Sequence, residues 1–450
     1  MSGQPPCFIH AADLHLGAPL ESLGEYFSHD LDKLRDLRQE ASRSFDRLVQ
    51  TALEREASFV VMAGDVYDRA EREVLAQVSF VKGLQKLNDG GSSPIPVFVV
   101  HGNHDPLVSG FRSAVELPSN VRVFGSGEAS VHTVEVDGVG PVDVAGISYS
   151  NTSETENLVR QVSSVVGDES LLSVGVVHAN VEGTSGHDPY APCSRSDLVE
   201  SPVDYWALGH VHQRTVEPMG PGRWWAYSGN LQGRSTKPSE CGAKGILAVP
   251  INAGGFEQPE FVECGALRFN RLELDVSGAS DVAAMIAMVA DAADKQAEQA
   301  GEVPVLLSVD LVGRTDFHAH LRKLGGDGLL NECREQSGDA LGRGELLRVR
   351  SRTRPNIDDT KLHSGHGLLA EVMKFMGTLA DRPESEISDW ISSHLDGELD
   401  PTVSEAAGLG AASDGGVAHA GRSTFSTGRE LLMACRDLLI DELAPMGDES

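Results

Sequence analysis

The chain has 450 residues and carries 37 Lys+Arg against 67 Asp+Glu, a formal net charge of −30. Its hydrophobic content of 40% and charged fraction of 23% are ordinary for a soluble globular protein, and no apolar run reaches the ~18 residues of a membrane span. The length predicts two or three domains, and the acidity argues against a protein that coats nucleic acid by bulk charge, because so negative a surface repels polyanions at long range.

The opening decapeptide MSGQPPCFIH lacks a basic region followed by an apolar one, so no secretory signal is expected. An apolar strand begins at Phe8-Ile9. Lys33 to Glu56 has Leu34, Leu37, Phe45, Leu48, Val49 and Leu53 near helical spacing. Ser58 to Ala63 reads as a buried strand ending at Gly64, Glu71 to Leu87 as a helix, and Ile95 to Val100 as another buried strand. Further strands fit Val142 to Gly146, Ser173 to His178 and Tyr205 to Leu208. Alternating strands and helices over residues 1–265 predict a layered α/β fold. A smaller α+β domain is expected over 266–355: strands Arg268 to Val276, Val303 to Val312 and Leu346 to Thr353, with helices Asp281 to Gln299 and Phe317 to Leu330. The remainder, 356–450, is an acidic, mostly helical tail. Within it, 401–428 is a Gly/Ala/Ser-rich linker and Glu430 to Leu443 an apolar-faced terminal helix. The six cysteines form no C-x-x-C pair, so free thiols in a reducing cytoplasm are the expectation.

The polar residues that stand out lie just past the strand ends, where α/β folds place their sites. They are Asp13-Leu14-His15, Gly64-Asp65-Val66-Tyr67-Asp68, Gly102-Asn103-His104-Asp105, His178 after its strand, Gly209-His210-Val211-His212, and the Ser228-Gly229-Asn230 turn. Imidazole and carboxylate together suit divalent Mn, Fe or Zn. Neighbouring glycines let the backbone turn sharply. Taken singly, each element has a plainer explanation. An Asp-x-His is usually a cap, a Gly-Asp a turn, and a His-x-His only places two rings on one strand face. The first five of these segments, in order and each behind an apolar strand, are not accidental.

This ordered set resembles the calcineurin-like metallophosphoesterase superfamily over about residues 7–250. Phe8-Ile9-His10-Ala11-Ala12-Asp13-Leu14-His15-Leu16-Gly17 resembles the opening of its DNA-repair nuclease branch, which includes the nuclease subunit of the bacterial SbcCD complex. Gly186 to Cys193, Gly229-Asn230-Leu231-Gln232-Gly233-Arg234-Ser235 and Lys244-Gly245 resemble the bacterial YhaO-type exonuclease group.

The resemblance implies a layered sandwich with an α+β cap and two divalent metal ions, with Mn the expected metal. One ion would take Asp13, His15 and His212, the other Asn103, His178 and His210, with Asp65 bridging. The ions would lie roughly 3.5–4 Å apart and activate a hydroxide for in-line attack on phosphorus. His104 would assist the leaving group, oriented by Asp105; such acid catalysis is typically worth about 10²–10⁴-fold. Archaeal and eukaryotic relatives carry a histidine where this chain has Asp68, which leaves the role of Asp68 open.

The implied activity is that of a DNA exonuclease. Arg348, Arg350, Arg352 and Arg354 alternate, and on one strand they would share a face. They read either as a phosphate-contacting stripe or as a charged edge strand that resists aggregation. Residues 201–250 are the only net-positive window of fifty. By resemblance the partners would be DNA and an SMC-like ATPase reached through the terminal helix, with a homodimer also compatible and no membrane. Equally, that helix could fold onto its own chain. Three function classes stay open: a metal-dependent exonuclease, a phosphoesterase of a small or cyclic nucleotide, and a non-catalytic scaffold. The intact ligand set speaks against the last.

Overall fold

Cys7–Ala11, Phe59–Ala63 and Val97–Val100 are strands in which every residue is buried, because both faces of their sheet are covered. The computed structural model describes residues 5–28, 30–68, 74–91, 93–107, 115–167, 170–183, 190–337, 344–356 and 368–394, and then Arg429, Leu432, Cys435, Arg436 and Leu439. Those three strands run parallel with Val121–Val123. Gly245–Asn252 lies antiparallel on the other side of Cys7–Ala11 and carries Gly255–Phe256 and Glu260–Glu263, completing seven strands.

A second sheet of six strands has the order Thr215–Gly220, Arg223–Tyr227, Tyr205–Gly209, Leu172–His178, Gly140–Gly146, Ser130–Val136. Its four inner strands are parallel and its two edges antiparallel. The sheets share a core in which Phe8 stacks on Phe59, ring centroids 4.8 Å apart, and meets Tyr205 edge-on at 5.1 Å. Val61, Phe98, Val174 and Val176 fill it.

Alternate residues of one strand serve two cores. Phe59, Val61 and Ala63 face the second sheet, while Val60 and Met62 face the helices Leu31–Glu54 and Val74–Asp89 through Phe45, Leu48, Phe80 and Leu84. Losing one such phenylalanine would cost about 3–5 kcal/mol. Asp30 caps the first helix by accepting from Lys33 N at 3.0 Å. Leu158–Val165 and Arg195–Val199 cover the outside of the second sheet with Val159, Val162 and Leu198. The result is the layered α/β sandwich expected, helices outside two sheets.

The chain forms two compact units: Met1–Leu272 with Ala292–Ser308 and Gly338–Leu347, and Glu273–Asp291 with Val309–Ser337 and Arg348–Ser450. The first holds both large sheets. A further three-stranded sheet has the order Arg268–Asp275, Val305–Val312, Glu345–Ser351. Its helices are Val282–Ala300 and His318–Ser337, the latter kinked at Gly325, whose φ of 67° is left-handed. In the second unit, Leu368–Ala380 packs Met373, Met376 and Leu379 against Leu432. Of the expected terminal helix, Leu432 and Cys435 pack with these residues, while Leu439 is exposed; most of that helix, and the linker 401–428, fall outside the described residues. Among the described residues no helix is long and apolar enough to cross a membrane.

Candidate metal centre

Parallel pairing brings the strand ends to one edge. Ala11 pairs with Met62, Ala63 with Val100, and Gly209 with His178. The loops beyond are locked together: Asp13 N donates to Gly64 O and His15 N to Asp65 O, both at 3.0 Å. The backbone there is strained. Asp13 (φ 50°), His15 (44°), Asp65 (50°) and His210 (98°) are all left-handed, although none is glycine. Such conformations persist only where the surroundings over-determine them, and they cluster at functional sites. Glycine is required beside them: a Cβ on Gly64 or Gly102 would strike the His178 ring, and one on Gly209 would strike Ala63 O.

His15 and His212 face each other, Nε2 to Nε2, at 3.2 Å. Asp13 Oδ1 is 3.6 Å from His212 Nε2, and Asp13 also accepts from the His210 main-chain N–H. The outward nitrogen of each ring faces a carboxylate. His212 Nδ1 donates to Glu240 Oε1 at 2.7 Å. His15 Nδ1 lies 3.2 Å from Asp68 Oδ1, close but without a well-formed hydrogen bond. With its proton on Nδ1, His212 turns the Nε2 lone pair towards His15 Nε2, and the two rings offer a pair of nitrogens that one cation could take. Burial and the Arg234 charge hold His15 below the ordinary imidazole range, which keeps it in the neutral, ligating form.

Asp65 sits between this pair and His178. Its Oδ2 is 3.8 Å from His15 Nε2 and 3.4 Å from His178 Nε2, and its Oδ1 accepts from His104 N at 2.9 Å. Burial pushes the Asp65 carboxyl up, but His178, His15 and His104 outweigh it and hold it well below the carboxylate range. His178 is fully buried; its Nδ1 donates to Ala63 O at 2.9 Å, which turns Nε2 to Asn103 Oδ1 at 3.0 Å. Burial lowers its basicity, yet Asp65 overrides this and raises His178 to about 9. The His210 ring packs edge-on against His178, centroids 5.3 Å apart.

Three groups of donor atoms, each within 4.8 Å, can therefore hold an ion: Asp13, His15, His212; Asp13, Asp65, His178; and His15, Asp65, His104. The chemistry of this set, imidazoles with carboxylates and an amide oxygen, fits a divalent transition metal.

Two expected roles need correction. His104 Nδ1 is anchored by Asp68 O at 2.8 Å. Asp105, fully buried, spends its carboxylate on Val66 N, Tyr67 N, Gly102 N and His101 Nδ1. It organises two ligand loops, and Asp68 supplies the anchor of the His104 ring. The four arginines do not share one strand. Arg348 and Arg350 lie on Glu345–Ser351, which stops before Arg352; Arg354 opens a two-residue strand paired with Arg314–Thr315. Thr353 turns its side chain inward to His318 Nδ1 and Ser351 Oγ, so the in-and-out alternation of burial runs on past the end of the strand. Arg350, Arg352 and Arg354 are exposed; Arg348 is half-buried.

Sequence reasoning missed Glu240, on the short turn Pro238–Glu240. It is buried and also accepts from Asn230 Nδ2 (2.8 Å) and Arg234 N (2.9 Å). Burial raises its carboxyl, but His212 and Arg234 hold it far below the usual range. Lys244, lowered to about 8 by burial, donates to His212 O at 2.8 Å. Residues 184–189, including Gly186 to Pro189 of the YhaO-like stretch, fall outside the described residues; Tyr190 lies with its ring 6.1 Å from that of His210.

Residues 8–214 match the calcineurin-like phosphoesterase family, and residues 269–354 match the middle domain of metallophosphoesterase YhaO. The uncharacterized metallophosphoesterase YhaO of Bacillus subtilis is 32% identical over 302 residues, 67% of this chain and 70% of its own. The DNA double-strand break repair protein Mre11 of Methanococcus maripaludis is 26% identical over 227 residues, 48% of this chain and 54% of its own. Its namesake from Aeropyrum pernix is 28% identical over 239 residues, 50% and 53%. The chain spans about half the length of these Mre11 proteins.

Proposed function

The chain belongs to the calcineurin-like metallophosphoesterase family, a family of hydrolases, and from that premise we propose that it is a dinuclear-metal phosphodiesterase acting on DNA as an exonuclease. One observation carries the reading: the His15 and His212 Nε2 atoms converge at 3.2 Å beside Asp13, with Asp65 linking them to His178. Asp13, His15 and His212 would hold one ion, Asn103, His178 and His210 the other, and Asp65 both. Ions held there, Mn in this reading, would supply Lewis-acid charge for the phosphoryl group and a nucleophilic water.

The chain's own residues do the rest. The Asp68 carbonyl only accepts, so it fixes a proton on His104 Nδ1; a second proton, taken up from solvent on Nε2, would be the one passed to the departing oxygen, leaving the ring neutral. The Asp65 carboxylate holds the His104 main chain and so fixes where that ring stands. Buried donors and left-handed loops keep the geometry preorganised, so little reorganisation is needed as charge develops.

DNA as substrate is supported by the likeness to proteins named Mre11 and by the exposed Arg350, Arg352 and Arg354. With a net charge of −30, DNA would be held weakly by this chain alone. An SMC-like ATPase partner, a homodimer and a cytoplasmic setting belong to the same reading; six free cysteines support the last. The test is purified protein with Mn on end-labelled duplex DNA, beside a cyclic nucleotide and a chromogenic diester. Release of nucleotides from DNA is expected. Turnover of the small esters with intact DNA would favour a small-nucleotide phosphoesterase instead.

A further inference from the structure

Arg234 joins the two carboxylates that stand behind His15 and His212. Its Nη1 donates to Asp68 Oδ1 at 2.7 Å. Its Nη2 lies 3.6 Å from Glu240 Oε1, and its main-chain N–H donates to Glu240 Oε2 at 2.9 Å. Asp68 in turn faces His15 Nδ1 at 3.2 Å and carries His104 Nδ1 on its carbonyl. Glu240 holds His212 Nδ1 at 2.7 Å. One guanidinium thus ties together residues 166 positions apart and two imidazoles whose Nε2 atoms converge.

We propose that Asp68, Arg234 and Glu240 form a positioning clasp for the ion held by Asp13, His15 and His212, and that it sets the affinity of that position without setting that of the other. A carboxylate behind an imidazole fixes which nitrogen carries the proton, stops the ring from turning, and makes the opposite nitrogen a stronger donor. Two such carboxylates close together repel. The planar fork of arginine can engage both at once, which the single ammonium of lysine cannot. The second position has no part in the clasp: His178 is held by Ala63 O, a main-chain group. Asp68 therefore has an assignment as an orienting group.

The proposal rests on the two-ion reading above, and the experiment separates the two. Mn binding to chelated protein is followed by calorimetry and metal content, with Co absorption as a spectroscopic check. Wild type should bind two ions. Arg234→Gln and Glu240→Gln should each weaken one position by about 10–100-fold and leave the other unchanged, with an altered Co spectrum. Arg234→Lys should not restore it. Should Glu240→Gln fail to fold, Arg234→Gln carries the test, since that side chain is 25% exposed. Wild-type affinity at both positions in the variants, or equal loss at both, overturns the clasp. Wild type binding fewer than two ions overturns the two-ion reading itself.

Discussion

His178 and Asp65 are coupled: the histidine Nε2 lies 3.4 Å from the carboxylate, inside a slot walled by Gly64 and Gly102. Without a metal, Asp65 keeps a proton on His178, raising it to about 9 against the lowering effect of burial. A ligating imidazole must be neutral, so an incoming ion displaces that proton. Apparent metal affinity should therefore rise about tenfold per pH unit up to about 9, with about one proton released per chain at pH 7.5. Calorimetry in two buffers of different ionisation enthalpy measures this.

The same coupling sets the stability of the ion-free protein. The folded value lies above the ordinary 6.5, so the contribution is complete below pH 6.5 and is lost as pH rises towards 9. The melting temperature of chelated protein should fall over that window. Saturating Mn should flatten the fall. A melting temperature that rises over the window without metal would remove the assigned pairing.

His104→Asn should spare metal binding and lower kcat by about 10²–10⁴-fold, since His104 meets Asp65 through its main chain and its ring is placed by the Asp68 carbonyl. Full turnover in this variant would take the proton-transfer role from His104.

Gly209→Ala should be among the more damaging small substitutions in the protein. Its Cβ would meet the Ala63 carbonyl, backbone that cannot move aside cheaply. A loss of about 1–3 kcal/mol is expected, with weaker metal retention because His178 Nδ1 is anchored to that carbonyl. Thermal melting with and without Mn reads both effects.

Arg350→Glu with Arg352→Glu should weaken DNA binding and reduce the slope of log affinity against log salt by about one for each phosphate that is no longer neutralised. Hydrolysis of a small diester should not change. An unaltered salt slope would leave these arginines as charge on an exposed edge.

Much of the site was legible in the sequence because its donors follow buried strands. Val-rich runs such as Phe59–Ala63 are apolar on both faces, and Gly64, Gly102 and Gly209 mark where the backbone turns at three of the strand ends. Asp13, His15, Asp65, Asn103, His178, His210 and His212 could be found that way. Glu240 could not: its turn of three residues has no periodicity, and its value comes from His212, 28 positions away. The Arg234 to Asp68 pair spans even more chain. The second sheet was half legible, since its strands Ser130–Val136 and Thr215–Gly220 have mostly partly buried or exposed residues and lack a clean apolar run. The extent of the arginine strand was not legible, because the sequence alternation continues past Ser351, where the strand ends.

The central claim is metal-dependent phosphodiester hydrolysis at a site built on Asp65. The most direct measurement is nucleotide release from end-labelled duplex DNA by chelated protein before and after Mn is restored, run beside Asp65→Asn. The account predicts no release after chelation, recovery with Mn, and at most a residual rate in Asp65→Asn. Release that survives chelation, or that Asp65→Asn leaves intact, would contradict it.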